Sequence, residues 1–359
     1  MTDERDGSFL EIEFLNCGLL RAVERLPSAT WDQTPGQDAT HVTCATHRQA
    51  TAELSRVRVA PRMNSAMSHT PFSVIIPAHD EAASITTCLT RLIGDAEPGE
   101  IEVVVVCNGC RDNTAQRARS AGAGALADVV VVELAQASKA AALAAGDELA
   151  TRYPRLYLDA DVVLDTDGAR HLVRSLDVDA TRFAVGRPER IFAGCSWPVR
   201  AFYRAWISLP ASQGWESGVY GVSQGAADRL TTAAPLIADD LAAARSFNAD
   251  ESLVVDEAVT SVKVPRHTRD LVNVRTRVRL GNAQLASHIH GGGGARQATR
   301  SASPGRDLMR LVAAHPTRAS DALVYLAINL VAELRARRRL RSGEFEWLRD
   351  ESSRLGPTP

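Results

Sequence analysis

The chain has 359 residues, of which 45% are hydrophobic, 23% charged and only 5% aromatic. Its 41 basic and 43 acidic side chains give a formal net charge of -2, which argues against a surface built throughout to bind nucleic acid. The apolar fraction is ample for the core of one large domain, or of two domains of about 150 residues each.

The N-terminus is acidic where a secretory signal would be basic, and no segment approaches the roughly 20 apolar residues of a membrane-spanning helix. We therefore expect a cytoplasmic protein whose six cysteines do not form a disulfide framework. The motif Cys107-Asn108-Gly109-Cys110 leaves thioredoxin-like redox chemistry or half a zinc site as minor alternatives. The sequence holds no second C-x-x-C to complete a zinc site.

The hydrophobic pattern divides the chain into three segments. Residues 1–70 show no sustained period, and we predict an N-terminal extension of uncertain order there. Residues 71–295 have the pattern of an α/β domain, and we expect them to carry the function. Residues 296–359 are predicted to be a helical, basic C-terminal segment.

Short β-branched strands alternate with helical stretches from residue 72 onward. Strands are predicted at residues 72–77, 101–107, 129–133, 156–158 and 259–264, and helices at residues 81–93, 113–120 and 138–149. Apolar strands separated by helices indicate a mostly parallel central sheet with helices on both faces. Ligands of such sheets bind beyond the carboxyl ends of the strands, so the turns there matter most.

Acidic and polar residues collect in those turns, at 77–81, 108–112 and 159–161. The glycine patterns of dinucleotide sites and phosphate loops are absent, so neither hydride transfer nor P-loop chemistry is favoured. Asp159 and Asp161 follow a buried strand, and their hard oxygens suit Mg²⁺ or Mn²⁺ bound together with a substrate diphosphate. The alternative is a solvated turn with two surface aspartates.

Four motifs occur in a fixed order along this domain. They are VIIPAHDE at 74–81, VVVCNGCRDNT at 104–114, Ser138-Lys139, and Leu158-Asp159-Ala160-Asp161. Together they resemble the family 2 glycosyltransferases over residues 72–282. The resemblance implies the glycosyltransferase type A fold, a nucleotide diphosphate sugar as donor and a divalent cation as cofactor.

The resemblance also implies roles for single residues in the first two turns. Pro77, Ala78 and Glu81 match the first nucleotide-contacting turn, although an acid at Glu81 also suits a helix N-terminus. Asn108 and Asp112 match the second turn. A cysteine and an asparagine replace the usual two aspartates there. Because an asparagine both donates and accepts, the family's preference for a uridine nucleotide is in doubt.

Further positions match the phosphate and metal contacts of the family. Lys139 matches a residue that meets the nucleotide or its phosphates, and its alternative is an ordinary lysine at a helix start. Asp159 and Ala160 match the motif that holds the ribose and the metal ion. Asp161 is the direct metal ligand that the resemblance implies.

An inverting transfer needs a general base to take the acceptor proton. The resemblance implies Asp240 as this base, with Asp239 as second choice; both acids also suit the first turn of a helix. Segment 275–281 partly resembles an Arg-Trp-x-x-Gly element of processive relatives. Arg277 and the neighbouring arginines either bind the diphosphate or form a solvent-exposed face. Val278 stands where that element has tryptophan, which argues against a processive synthase. His288-Ile289-His290 is more typical of a flexible surface turn than of a metal site.

Residues 322–332 are apolar nearly all round and are followed by five arginines, at 335, 337, 338, 339 and 341. The apolar stretch is too short to span a bilayer. Such a helix either lies on an anionic membrane surface or packs on the domain or on a partner, with the arginines complementing its dipole.

The sequence thus predicts a metal-dependent, inverting, hexosyltransferase-like glycosyltransferase of polysaccharide or glycolipid assembly in the cell envelope. We expect a cytoplasmic enzyme that contacts the inner face of the plasma membrane and uses a hydroxyl acceptor, including a lipid-linked one. A nucleotidyltransferase, a non-catalytic nucleotide-sugar-binding paralogue and a redox protein built on Cys107 and Cys110 are the alternatives. The intact Asp161 and Asp240 argue against the paralogue.

Overall fold

The computed structural model describes residues 69–176, 181–209, 217–231, 243–244, 246–248, 250–291 and 304–342. The strands are β1 (Phe72–Ala78), β2 (Ile101–Asn108), β3 (Asp128–Leu134), β4 (Arg155–Leu158), β5 (Phe183–Ile191), β6 (Val219–Val222) and β7 (Ser252–Lys263). The helices are α1 (Ile85–Ile93), α2 (Thr114–Gly122), α3 (Lys139–Leu149), α4 (Thr166–Ser175), α5 (Trp197–Ile207), α6 (Gln224–Thr231), α7 (Thr268–Gly291), α8 (Pro304–Ala314) and α9 (Ala319–Ser342).

The strands form one seven-stranded sheet in the order β3-β2-β1-β4-β6-β5-β7. β1 pairs in parallel with β2 and β4, β2 pairs in parallel with β3, and β5 in parallel with β7. β6 runs antiparallel between β4 and β5. The predicted mostly parallel sheet is therefore confirmed, with one reversed strand that the sequence did not reveal.

Alternate side chains of β1 pack against helices on opposite faces of the sheet, because successive residues of a strand point to opposite sides. Val74 and Ile76 lie in a core with residues of α1, α2 and α4, including Leu89. Ile75 lies in a second core with Ala142 of α3. The helices on both faces follow directly from this continuous run of buried strand residues.

Several helix limits differ from the sequence prediction. α1 begins at Ile85 rather than at residue 81, because the backbone N–H of Glu81 donates to Thr114 Oγ1 (2.8 Å) and residues 81–84 form a turn. α3 begins at Lys139, and the hydroxyl of Ser138 accepts from the N–H of Ala141 (3.2 Å) as an N-cap.

The arginine-rich segment 275–281 lies inside the long helix α7, and so does the backbone of His288-Ile289-His290. The expectation of a surface turn at the two histidines is wrong, because α7 continues to Gly291, the first residue of the glycine run. Arg275, Arg277 and Arg279 therefore lie on a helix, where residues two apart point in different directions. The Arg275 guanidinium lies over the rings of Phe202 (5.6 Å) and Trp206 (5.2 Å) of α5.

The C-terminal helices α8 and α9 pack with α5 and α7 in a third core. Asp321, buried near the start of α9, accepts from the Arg204 guanidinium of α5 at 2.7 and 2.9 Å. The Arg204 guanidinium beside Asp321 holds the pKa of that carboxyl below its usual value. One face of α9 is thus packed internally. In the part of the chain described above, no helix is both long and apolar enough to cross a membrane.

Gly146 of α3 lies so close to β1 that a Cβ built on it would be 2.4 Å from Cγ2 of Ile75. We expect Gly146→Ala to lower the free energy of unfolding by about 1–3 kcal/mol, because overpacking outweighs the gain in helix propensity. Urea unfolding of both proteins measures the difference.

Gly305 of α8 is the matched control, because a Cβ built there meets nothing within 4 Å. Gly305→Ala should leave the free energy of unfolding unchanged or raise it by up to about 1 kcal/mol. Equal effects of the two substitutions would contradict the close approach of α3 to β1.

Candidate functional site

The carboxyl ends of β1, β2 and β4 lie side by side. The register pairs Ala78 with Cys107, and β4 flanks β1 on its other side. The turns that follow these strands therefore meet at one edge of the sheet, where α3 also begins. The structure brings together at this edge most of the residues that the sequence singled out.

Glu81 and Asp112 fix the first two turns to each other. The carboxylate of the buried Glu81 accepts from the Ser84 hydroxyl at 2.8 Å. Asp112 accepts from the backbone N–H of Ala82 at 3.1 Å and from both the N–H and the hydroxyl of Thr114. The predicted contacts of Glu81 and Asp112 with a nucleotide stay predictions, but both carboxylates lie in turns at the expected edge.

Asn108 is only 3% exposed, and its side-chain amide joins three segments. Its Nδ2 donates to the backbone carbonyl of Ala78 at 2.8 Å, and its Oδ1 accepts from the N–H of Ser138 at 3.0 Å. The next residue, Gly109, has φ +59°, and a Cβ there would lie 2.6 Å from the backbone N of Ala137. The amide thus has a structural role beside the base contact that the resemblance implies.

The turn after β4 carries the two aspartates. The N–H of Asp159 donates to the carbonyl of Gly218 (2.9 Å), and the carbonyl of Asp159 accepts from the N–H of Val162 (3.0 Å), which tightens the turn around the buried Ala160. Nζ of Lys139 lies 2.8 Å from Oδ1 of Asp159. The predicted phosphate-contacting lysine is therefore ion-paired with a predicted metal ligand.

Three carboxylates of this edge act on one buried thiol. Burial is the main cause that raises the pKa of Cys88, and the negative charges of Asp161, Asp159 and Glu81 raise it further. Carboxylates of the turns after β1 and β4 thus both oppose ionisation of this thiol.

A shallow, open cleft lies beside the Lys139–Asp159 pair. Its walls include Pro77, Tyr157 and Tyr220, and the two tyrosine rings stack with their centroids 4.6 Å apart. Tyr220 stands on the four-residue strand β6, which is too short to show a period, and the structure buries it as a core aromatic.

The two cysteines of the C-x-x-C motif are free thiols with different surroundings. A hydrogen bond with Cys107 is the main cause that lowers the pKa of Cys110 to about 7, and the N–H of Asp80 adds to it. The pKa of the buried Cys107 is raised, first by its hydrogen bond with Cys110 and then by burial. Cys110 is thus the more acidic thiol of the pair.

Three predicted site residues remain, Asp239, Asp240 and Arg277. Asp239 and Asp240 fall outside the described residues. Arg277 lies in the middle of α7, which packs with α5 and α9 and does not follow a strand at the edge described above. Its contact with a diphosphate stays a prediction.

Residues 73–218 match the model of glycosyl transferase family 2. This stretch includes all three turns of the edge and the start of α3. Over this stretch the match confirms the identification made from the four ordered motifs. The match and the observed sheet together confirm the predicted type A fold.

Among solved structures, a mannosyltransferase from Pyrobaculum calidifontis in complex with GDP-Man and Mn²⁺ is 20% identical, with a TM-score of 0.49, and the alignment covers 79% of this chain and 81% of that chain. Glucosyl-3-phosphoglycerate synthase from Mycobacterium tuberculosis, with Mn²⁺, UDP and glucosyl-3-phosphoglycerate, is 19% identical over 61% of this chain and 79% of that chain, with a TM-score of 0.40. TarS from S. aureus, in complex with UDP, is 16% identical, with a TM-score of 0.38, and the alignment covers 77% of this chain and 93% of that chain. The comparison with curated proteins finds no significant match.

The Asn108 bridge predicts a large effect of a small substitution. Asn108→Ala removes the partners of a buried carbonyl and a backbone N–H, and we expect it to lower the free energy of unfolding by about 1–3 kcal/mol. The midpoint of urea unfolding, at an unchanged slope, measures this loss.

Asn113→Ala is the matched control, because Asn113 is exposed at the start of α2 and its side chain makes no capping hydrogen bond. It should change the free energy of unfolding by less than about 0.5 kcal/mol. If the two substitutions cost the same, the amide of Asn108 does not hold the three segments together.

Proposed function

We propose that this glycosyltransferase moves a sugar from a nucleotide diphosphate sugar to an acceptor hydroxyl, with inversion at the anomeric carbon and with a divalent cation. The observation that carries this proposal is the meeting of the Asp159 turn, Lys139 and the buried Glu81 at the carboxyl edge of the sheet. A diphosphate needs positive charge around it and a ribose needs acceptors for its hydroxyls. This edge offers both kinds of group.

The donor set fits a hard cation. Asp161 and Asp159 would hold it through carboxylate oxygens, which are the ligands that Mg²⁺ and Mn²⁺ prefer. The bound cation supplies positive charge that stabilises the diphosphate leaving group. The Asp159 turn is held in place by Gly218, whose φ is +66° and on which a Cβ would lie 2.3 Å from Cγ2 of Val162.

Lys139 supplies a second positive charge from the first turn of α3. Its ammonium group is paired with Asp159 and about one-quarter exposed, so a phosphate oxygen that enters the cleft can reach it. A hydrogen bond between an ammonium group and a phosphate oxygen is charge-assisted and stronger than a neutral one. Lys139 therefore orients the diphosphate beside the two aspartates.

The sugar-transfer step needs a base on the acceptor side. We assign this role to Asp240, with Asp239 as the second choice, from the sequence motif alone. The base takes the proton of the acceptor hydroxyl while that oxygen attacks the anomeric carbon from the face opposite the diphosphate.

A panel of nucleotide diphosphates, each with and without Mn²⁺, tests the donor site through thermal unfolding. The matching nucleotide at about 100 times its dissociation constant should stabilise the protein by about 2.7 kcal/mol. Asp161→Asn keeps the shape of the side chain and removes its charge, so it should abolish the metal-dependent part of the shift.

Asp256→Asn is the control for charge removal, because Asp256 is exposed on β7, the strand at one end of the sheet. It should leave the shift intact. A full metal-dependent shift in Asp161→Asn, or no shift with any nucleotide, would overturn the proposal. Binding without release of a nucleoside diphosphate from any donor would instead indicate a non-catalytic paralogue.

We further propose that α9 attaches the enzyme to an anionic membrane surface on its cytoplasmic side, where an acceptor for cell-envelope polysaccharide or glycolipid assembly is lipid-linked. Four exposed leucines, at 323, 326, 330 and 334, follow one another at intervals of three and four residues and so share one face of α9. Leu323 is 67% and Leu330 60% exposed. The helix ends in a turn rich in arginine, and each basic residue near an anionic surface contributes about 1 kcal/mol.

Sedimentation with vesicles tests this attachment. The protein should bind phosphatidylglycerol vesicles and bind phosphatidylcholine vesicles at least about tenfold more weakly, because the arginines respond to surface charge. Leu326→Gln with Leu330→Gln should remove most of the binding to either vesicle. Leu126→Gln is the control, because Leu126 is equally exposed in the loop before β3.

Two outcomes would contradict attachment by α9. One is equal vesicle binding by the double variant and the control. The other is a concentration-dependent dimer in size-exclusion chromatography that the double variant abolishes, since the leucine face would then be an interface between two copies of the chain.

A further inference from the structure

Three side chains with metal-binding atoms meet between the turns after β1 and β2. The ligand atoms of His79, Asp80 and Cys110 all lie within 4.8 Å of one another. Nε2 of His79 is 3.9 Å from Oδ2 of Asp80, and Sγ of Cys110 is 3.4 Å from the backbone N of Asp80. None of the three is among the residues to which we assign the donor site.

Hydrogen bonds orient the histidine for metal binding. Nδ1 of His79 lies 2.6 Å from the backbone carbonyl oxygen of Asn108. A carbonyl oxygen only accepts, so Nδ1 carries the proton and Nε2 has the lone pair. Metal-binding histidines commonly have this arrangement, in which one ring nitrogen donates to a carbonyl and the other ligates.

The carboxylate is oriented in the same way. Oδ1 of Asp80 accepts from the backbone N–H of Arg111 at 2.6 Å, and the other oxygen, Oδ2, faces the His79 ring. Asp80 has φ +50°, a left-handed conformation that few residues other than glycine adopt and that Asp tolerates better than most. This backbone conformation brings the residue back over the second turn.

We propose that His79 Nε2, the Asp80 carboxylate and Cys110 Sγ form a site for a thiophilic divalent cation of the Zn²⁺ type. One nitrogen, one oxygen and one sulfur ligand suit Zn²⁺, which binds such atoms at about 2.0–2.3 Å, so the three atoms would move closer to one another when the cation binds. Three protein ligands leave a fourth tetrahedral position open. The two cation sites differ in chemistry, because Asp159 and Asp161 offer only hard oxygens.

A cation bound here would fasten the turn after β1 to the turn after β2. Both turns carry residues of the proposed donor site, Glu81 in the first and Asp112 in the second. The site therefore stabilises the empty enzyme as well as the nucleotide-bound one. Cation binding by His79, Asp80 and Cys110 does not require that a nucleotide sugar bind at the proposed donor site.

Cobalt substitution of the full-length chain tests the site. The chelator-treated protein is titrated with Co²⁺, and a thiolate-to-cobalt charge-transfer band together with intense d–d bands should show a tetrahedral site with one sulfur ligand. One equivalent of Zn²⁺ should displace the cobalt. Cys110→Ser should abolish the charge-transfer band.

His79→Asn is the second variant, because its side-chain amide can still donate to the Asn108 carbonyl while the ligating nitrogen is lost. It should weaken cobalt affinity at least about tenfold while the far-ultraviolet circular dichroism stays unchanged. Cys195→Ser, which removes a buried thiol packed against α7, and Asp161→Asn should both retain the band.

The proposal is overturned if no charge-transfer band forms, if Cys110→Ser keeps it, or if only Cys107→Ser removes it. Mn²⁺-dependent stabilisation by nucleotides serves as the separate readout for the donor site. Loss of that stabilisation with a normal cobalt spectrum would count against the donor site alone. A normal nucleotide response with no cobalt band would count against the zinc-type site alone.

Discussion

The geometry of the sheet edge that carries the candidate site depends on the two hydrogen bonds of the Asn108 side-chain amide. Through one donated and one accepted hydrogen bond it joins the end of β1 to the start of α3, and it stands itself at the end of β2. Each of these segments carries part of the proposed donor site. A side chain with only donors, or only acceptors, could not satisfy the carbonyl of Ala78 and the N–H of Ser138 together.

The edge is also defined by a balance of charge. Asp159, Asp161 and Glu81 gather negative charge around one buried thiol, and Lys139 compensates part of it through its ion pair with Asp159. Clustered carboxylates raise the free energy of the empty site, and a cation or a phosphate group changes that balance when it binds. In the proposed donor site, the negative charge that makes the empty site unfavourable would favour binding of a metal ion together with a diphosphate.

The sequence was informative wherever local pattern decides structure. The runs of valine and isoleucine in β1 and β2 predicted buried strands, and the alternation with helices predicted the parallel sheet. The alternation of side chains gave no signal for β6, because that strand is only four residues long. The prediction for residues 275–281 rested on their arginines, whereas the helix α7 buries Val272, Thr276 and Leu280, which follow one another at intervals of four residues. Motif order located Asp159 and Lys139, but it could not predict that they form an ion pair.

The close packing of Gly146 against Ile75 bears on the position of Lys139, which begins the same helix. Lys139 and Gly146 are two turns of α3 apart, about 10 Å, and a helix of this length moves as a rigid rod. The distance between α3 and the sheet at Gly146 therefore affects where the Lys139 ammonium lies relative to the cleft. A larger residue at position 146 would shift α3 on the sheet and would move the Lys139 ammonium with it, although position 146 itself does not line the cleft.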